Sequence, residues 1–186
     1  LLGGPNIYIK RDDLTALAFG GNKTRKLEFL LPQAVAEGAD TVITLGGLQS
    51  NWVRQTVTAA RKLGMEAVVV LEGEAPQELQ GNLLLDHLMG AQLRYVPDVP
   101  QDLEDQEIQG SFPITGKIAE EYRAQGRHPV LLPLGGATPL GNLGYINAVD
   151  ELSGQLKAMD LQADYLIAAT GTGGSQAGIE CGLRLA

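Results

Sequence analysis

Cysteine and histidine are scarce in this sequence. Its 186 residues include one cysteine, Cys181, and two isolated histidines, His87 and His128. No disulfide can form within the chain, and neither a metal cluster nor a cysteine–histidine catalytic pair is indicated. We therefore expect no metal ion, and a reducing compartment, by default the cytoplasm.

Positive charge and long apolar runs are also lacking. Fourteen lysines and arginines stand against 22 acidic residues, giving a net charge of -8. A phosphate backbone would be repelled, and no basic cluster with interleaved aromatics offsets this. No apolar run approaches the ~20 residues that a helix needs to cross a bilayer. We expect no nucleic-acid partner and no membrane span.

Both ends of the chain lack the usual terminal signals. The sequence starts at Leu1 without a methionine, and its last helical pattern reaches Ala186 without a capping residue. We expect the chain to be truncated at both ends, so that a targeting segment could precede it. The acidic stretch 98–109 is predicted to be a solvated loop or a frayed helix.

Short apolar runs alternate with segments of helical period, which predicts an open, mainly parallel α/β sheet. Each predicted strand is nearly all apolar, as expected for a strand covered on both faces. The predicted strands are residues 41–45, 67–71, 93–96, 130–134 and 165–169, and residues 6–10 are also strand-like. The glycines, 24 in all, cluster after these strands, where open α/β sheets bind ligands.

The first glycine segment ends in Lys23, which follows a Gly-Gly step and enters a helix. Free backbone N–H groups and the nearby Arg25 and Lys26 would disfavour its ammonium form and favour a nucleophilic amine. A solvated lysine in a basic first turn is the alternative. A nucleotide-binding P-loop does not fit, because Asn22 and Ala18 occupy positions that require glycine.

The second glycine segment carries Ser50 between a strand and a helix. Ser50 is a good N-cap, since its hydroxyl can accept from free N–H groups of the first turn. A Ser50–Asn51 pair at a positive helix end is also a suitable carboxylate site. The residues alone leave both readings open.

The third glycine segment, residues 170–178, follows a predicted strand and opens a helix. Successive N–H groups, hydroxyls and a helix dipole make a phosphate cradle there, although a tight turn is the alternative. A dinucleotide fingerprint does not fit, because Gln176 occupies its third glycine position. Without a lysine, the loop suits a phosphate tethered to a ligand.

A further post-strand loop, 135–141, could line a pocket or be a flexible turn.

Residues 20–28, 49–51 and 171–178, in this order, resemble the D-cysteine desulfhydrase and 1-aminocyclopropane-1-carboxylate deaminase family of pyridoxal-phosphate enzymes. The resemblance spans the chain from residues 10–13 onward. It implies a fold of two open, mainly parallel α/β domains of the tryptophan synthase β-like type. Residues 1–40 and 141–186 would belong to the large cofactor domain, and 41–140 would form a small inserted domain.

The resemblance also implies residue roles. Lys23 would carry pyridoxal 5'-phosphate as a Schiff base and act in catalysis with Ser50. The phosphate would be held by Lys26, Gly171, Thr172, Gly173, Gly174 and Ser175. Asn51 would contact the cofactor, and the substrate would be bound by Gln49, Ser50, Asn51 and Trp52. The pyridine-nitrogen partner and a tyrosine pair would lie beyond Ala186.

Within that family, residues 81–86 and 133–137 look more like the desulfhydrase branch. We therefore expect the protein to convert D-cysteine to pyruvate, sulfide and ammonia. We also expect it to be a homodimer and to be located in the cytoplasm. Alternatives are deamination of the cyclopropane amino acid to 2-oxobutanoate, lysis of another β-substituted amino acid, or cofactor binding without turnover. Trp52 departs from the family, which commonly has a smaller polar residue there.

Overall fold

The computed structural model describes residues 3–96 and 113–186. Four strands form a parallel sheet in the order β3-β2-β1-β4. They are β1 Thr41–Gly47, β2 Glu66–Glu72, β3 Gln92–Val96 and β4 Pro129–Leu131. The predicted parallel α/β class is confirmed. The loop predicted at 98–109 lies outside the described residues.

Within the described ranges, six α-helices connect and flank these strands. They are α1 Thr24–Ala36, α2 Asn51–Lys62, α3 Gly81–Leu88, α4 Pro113–Ala124, α5 Pro139–Ala158 and α6 Gly174–Leu185. Three short 3-10 helices lie at Asp12–Leu14, Leu17–Phe19 and Leu134–Gly136. None of the helices in the described ranges combines the length and apolar character needed to cross a membrane.

The two central strands are covered on both faces, as their apolar composition predicts. Alternate residues of a strand point to opposite faces, so β1 and β2 supply two separate core clusters. Val42, Val69 and Leu71 pack with residues of α1 and α2. On the other face, Ile43 and Val68 pack against α4. At the carboxyl edge of this sheet, glycine-containing loops follow β1 and β4.

Four strand predictions need correction. The strand predicted at 130–134 ends at Leu131, and Leu134 starts a 3-10 helix. Residues 6–10 and 165–169 form no strand, and Ile167 is 94% exposed. Both runs have suitable composition, but a strand also needs a hydrogen-bonded neighbour, and none of the described strands pairs with them. β3 is a half-buried edge strand instead of one covered on both faces.

Helix α1 joins the sheet to the C-terminal helices. Its apolar side packs in the core with α2, and it also contacts α5, which packs along α6. At its start, Arg25 forms ion pairs with Asp12 at 2.8 Å and with Glu151 of α5 at 2.9 Å. These contacts bring α6 and its preceding loop close to the start of α1. The division into domains at 41 and 140 stays a prediction.

Candidate active site

Lys23 occupies the N-cap position of α1, as the sequence predicts. The neighbouring backbone is fixed from a second helix, because the N–H and hydroxyl of Thr24 both donate to Gln55 Oε1 of α2, at 2.8 and 2.9 Å. The Tyr145 hydroxyl of α5 donates to the carbonyl oxygen of Asn22 at 3.3 Å. The position of the Lys23 backbone is thus set by side chains from two other helices.

Two lysine amines lie close together beside this helix start. Lys26 is fully buried, and its Nζ donates to the carbonyl oxygen of Gly135 at 3.1 Å. Burial, and then the charge of Lys23, lowers the pKa of Lys26 to about 8. Burial also lowers the pKa of Lys23. Both groups therefore favour the neutral amine more than a free lysine does.

The cause of the Lys23 shift differs from the sequence-based expectation. Helix N–H groups and the cations Arg25 and Lys26 were expected to disfavour its ammonium form. In the structure burial lowers the Lys23 pKa, whereas the Arg25 guanidinium is neutralised by Asp12 and Glu151. Sequence alone could not give the depth of the pocket.

The turn at Gly135 brings the lysines and the third glycine segment together. Its φ of 63° is in the left-handed region that favours glycine. A Cβ atom there would lie 3.0 Å from Thr172 Oγ1 and 3.7 Å from Lys23 Nζ. The sequence left this turn open between a pocket wall and a flexible loop. The structure places this turn against both lysines, with the Gly135 carbonyl oxygen accepting from Lys26 Nζ, but residues 135–141 do not line the cavity beside Lys23.

The start of α6 faces the same amines. A Cβ atom on Gly174 would lie 2.6 Å from Lys26 Nζ, so only glycine allows this close approach. No side chain caps α6, whose N-cap is the left-handed Gly173. A cavity of about 30 Å³ is lined by Asn22, Lys23 and loop residues that include Thr172 and Ser175. The predicted phosphate loop and the predicted cofactor lysine thus share one cavity.

The predicted phosphate-binding residues are placed in two groups. Gly171, Thr172, Gly173 and Ser175 line the cavity with Lys23. Lys26 and Gly174 lie beside each other.

No group of three or more histidine, cysteine or acidic side chains within the described ranges is placed to hold a metal ion.

The Gln49–Asn51 loop lies at the carboxyl end of β1. Ser50 caps α2, its Oγ accepting from the Val53 N–H at 3.3 Å. Gln49 and Asn51 are exposed and Ser50 is half-buried. β1 and β4 run parallel, so this loop and the Gly135 turn that follows β4 lie at the same edge of the sheet. These three residues do not line the cavity beside Lys23.

Trp52 lies in the core and not on the surface of that loop. Its side chain is 2% exposed, and its Nε1 donates to Thr44 Oγ1 at 2.8 Å. A Cβ atom on Gly136 would lie 2.8 Å from the indole ring, so the ring packs directly against that turn. We therefore leave Trp52 out of the proposed substrate contacts.

Sequence comparisons match the whole chain. A family model described as pyridoxal-phosphate dependent enzyme covers residues 1–186. A Pyrococcus abyssi protein, provisionally named as a 1-aminocyclopropane-1-carboxylate deaminase, is 46% identical over 96% of this chain and 52% of its own length. The D-cysteine desulfhydrase of Serratia proteamaculans is 39% identical over 97% of this chain and 54% of its own length.

Structural comparison gives the same result. The crystal structure of an ACC deaminase homologue matches with a TM-score of 0.78 and 43% identity, over 94% of this chain and 50% of that one. The chain spans about half the length of the curated relatives it matches. The predicted resemblance and the predicted tryptophan synthase β-like fold are confirmed, and the chain belongs to the pyridoxal-phosphate dependent enzyme family.

Proposed function

We propose that this chain carries the cofactor site of a lyase or deaminase that acts on a small amino acid, and that Lys23 holds the cofactor covalently. One observation carries the proposal. The Lys23 side chain lines the same cavity as Thr172 and Ser175, although these residues are far apart in sequence. A half-buried amine beside a glycine loop is the arrangement that covalent attachment of a phosphorylated aldehyde requires.

The residues beside Lys23 fit the phosphate of pyridoxal phosphate. The start of α6 has no side-chain cap, so its N–H groups and helix dipole can serve an anion. The Lys26 amine lies against Gly174 in that first turn. A bound phosphate dianion would raise the pKa of Lys26 again and keep it charged. Lys26 and the residues from Gly171 to Ser175 would hold this group.

The chemistry of the site would be divided between cofactor and protein. When bound, pyridoxal phosphate supplies an electron sink for negative charge at the substrate's α carbon. Burial of Lys23 lowers the pKa of its amine, which increases the fraction of nucleophilic free base near neutral pH. After the substrate amine displaces it, Lys23 Nζ would move the α proton.

The substrate carboxylate would bind at the start of α2. The Ser50 Oγ accepts from the Val53 N–H, so its own hydroxyl proton is free to be donated to a carboxylate. The exposed Asn51 adds an amide at the same helix end. Helix N-termini attract carboxylates through their free N–H groups and dipole.

Our preferred reaction is desulfhydration of D-cysteine to pyruvate, sulfide and ammonia. Its support is the sequence of residues 81–86 and 133–137. Deamination of 1-aminocyclopropane-1-carboxylate is an equally supported candidate, because relatives carry both names. Cofactor binding without turnover is the candidate of another class. A homodimer and a cytoplasmic location stay predictions.

The covalent role of Lys23 can be tested by reduction. The protein is incubated with pyridoxal phosphate, treated with borohydride and mapped by mass spectrometry. We expect one phosphopyridoxyl group, on Lys23, none in Lys23→Ala, and an unchanged adduct in Lys62→Ala at an exposed lysine of α2. A label on Lys26 or on a surface lysine instead would overturn the assignment.

Turnover by the full-length protein separates the reactions. Pyruvate and sulfide from D-cysteine, without 2-oxobutanoate from the cyclopropane acid, would support the desulfhydrase. The reverse would support the deaminase. A Lys23 adduct with neither product would leave a cofactor-binding protein without these activities.

A further inference from the structure

We propose that Asn82 is a positioning residue that holds the Gln49–Asn51 loop in place, and that Arg54 connects this loop to the glycine segment before Lys23. The part of this proposal that concerns substrate rests on the proposed function. The part that concerns the loop rests on hydrogen bonds alone.

Asn82, at the start of α3, directs all its donors at the loop. Its backbone N–H donates to Gln49 Oε1 at 2.9 Å, and its Nδ2 donates to the carbonyl oxygen of Gln49 at 2.8 Å. The same Nδ2 donates to Asn51 Oδ1 at 3.0 Å. The residues on both sides of Ser50 are thus held by a single side chain from another helix.

The acceptor of the Asn82 amide completes the link. Its Oδ1 accepts from Arg54 Nη1 at 2.9 Å, and Arg54 Nη2 donates to the carbonyl oxygen of Gly20 at 2.8 Å. A guanidinium has only donors, so its partner must be the amide oxygen, and this fixes which way the Asn82 amide points. Asn82 therefore links the loop after β1 to the segment that leads into Lys23.

The residue before Asn82 is fitted to the same contact. Gly81 has a φ of 57°, and a Cβ atom on it would lie 2.4 Å from Gln49 Oε1. Any larger residue would displace the Gln49 amide and strain the backbone. This contact gives a physical reason for a Gly-Asn pair at the start of α3, where the sequence offered only a family resemblance.

The consequence concerns substrate geometry. Ser50 and Asn51 are the groups proposed to bind the substrate carboxylate, and both are on a loop with exposed residues. Holding that loop in advance reduces the ordering that binding must supply. Asn82 would then control substrate affinity without touching substrate.

The replacement Asn82→Asp tests the loop contact directly. It keeps an oxygen for Arg54 but places another oxygen against the Gln49 carbonyl and Asn51 Oδ1, which repel it. We expect at least tenfold faster amide hydrogen exchange for residues 47–52, with exchange in α4 unchanged. The matched control is Gln80→Glu, which makes the same charge change two residues earlier, at an exposed N-cap side chain without a capping bond. It changes only the side chain and keeps the Gln80 carbonyl, which accepts from Gln49 Nε2 at 3.0 Å.

A second variant, Gly81→Ala, disturbs the contact from the backbone side and should accelerate the same amides. It keeps the test valid if Asn82→Asp fails to fold. Unchanged exchange at 47–52 in a folded variant of either kind would overturn the proposal, as would equal acceleration in Gln80→Glu.

Kinetics of the full-length protein test the effect on substrate. In Asn82→Asp we expect KM to rise at least tenfold, with a much smaller change in kcat and unchanged borohydride labelling of Lys23. Accelerated exchange with an unchanged KM would overturn the role in substrate positioning. Hydrogen exchange needs no turnover, so a failure of the proposed function would leave the loop result readable on its own.

Discussion

The starts of α2 and α6 follow glycine-containing loops, yet their backbone N–H groups are used differently. At α2 the side chain of Ser50 accepts from Val53, so one free N–H of the first turn is satisfied within the protein. At α6 the N-cap is Gly173 in a left-handed conformation, and no side chain takes that role. The second helix start therefore has more donors to offer an external anion.

The surroundings of the two helix starts differ in the same direction. The buried Lys26 amine lies against Gly174 at the start of α6, and Lys23 lines the adjoining cavity. The Gln49–Asn51 loop is instead held by neutral groups, because Asn82 donates to the side-chain amides of Gln49 and Asn51. This difference fits the proposed placement of the doubly charged phosphate at α6 and the singly charged carboxylate at α2.

Filling the close approach at α6 should have the largest effect. In Gly174→Ala the new methyl group would lie 2.6 Å from Lys26 Nζ and 2.9 Å from the side-chain amide of Asn142. Overpacking of this kind costs ~1–3 kcal/mol. That cost falls on the stability of the folded protein. The methyl group would also displace the Lys26 amine and cover the first-turn N–H groups proposed to hold the phosphate, so we expect pyridoxal phosphate to bind at least about tenfold more weakly, a loss of ~1.4 kcal/mol, as measured by absorbance titration.

The matched control for that variant is Gly154→Ala. It adds the same methyl group to an exposed position of α5 where no atom lies within 4 Å. Cofactor affinity should stay the same, and the helix should gain about 0.5–1 kcal/mol from the better helix former. If Gly174→Ala and Gly154→Ala bind pyridoxal phosphate with equal affinity, the phosphate does not bind at the start of α6.

The lysine beside α6 gives a pH-dependent test. The pKa of Lys26 is about 8 in the folded protein against 10.5 for an unperturbed lysine. Between these values the unfolded chain binds more protons, so the stability of the cofactor-free protein should rise with pH. Between pH 7.5 and pH 10, we expect the titration of Lys26 to raise the free energy of unfolding by about 2 kcal/mol.

Urea unfolding of Lys26→Met measures this contribution. The variant should lose the part of this rise that comes from Lys26, about 2 kcal/mol, and keep the part that the buried Lys23 supplies. Lys62→Met, at an exposed lysine, should keep the whole rise. An identical pH dependence in Lys26→Met and the unaltered protein would show that the Lys26 amine is not buried beside α6.

The parts of this fold that sequence predicts are those fixed by local pattern. β1 and β2 are nearly continuous apolar runs with both faces covered. Ser50 caps α2 through a hydrogen bond with Val53, only three positions away in sequence. Residues 165–169 have a similar composition but no paired strand among the described residues. Composition sets the propensity of a segment, whereas pairing depends on what lies next to it.

The site shows the same limit. Lys23 and the loop residues Gly171, Thr172, Gly173 and Ser175 were predicted from separate motifs, and the structure brings them to one cavity. Gly135 was named only as part of a loop that could line a pocket, and Asn82 only within a segment of family resemblance. Their contacts with Lys26 and Gln49 are distant in sequence, so the sequence could not predict them. Trp52 was predicted at the substrate, but its large apolar ring and single donor are both satisfied in the core.

Removing the cap of α2 should have the smallest effect of the three changes. Ser50→Ala leaves the Val53 N–H without its 3.3 Å partner, which typically costs ~1 kcal/mol of stability. Ser153→Ala, the same change within α5, should be neutral or slightly stabilising, because alanine is the better helix former there. Urea unfolding should show a lower free energy of unfolding for Ser50→Ala and an equal or higher one for Ser153→Ala.

Cofactor affinity should change little in Ser50→Ala, since its loop does not line the cavity beside Lys23. A loss of affinity as large as that in Gly174→Ala would place both helix starts at the phosphate and end the distinction between them.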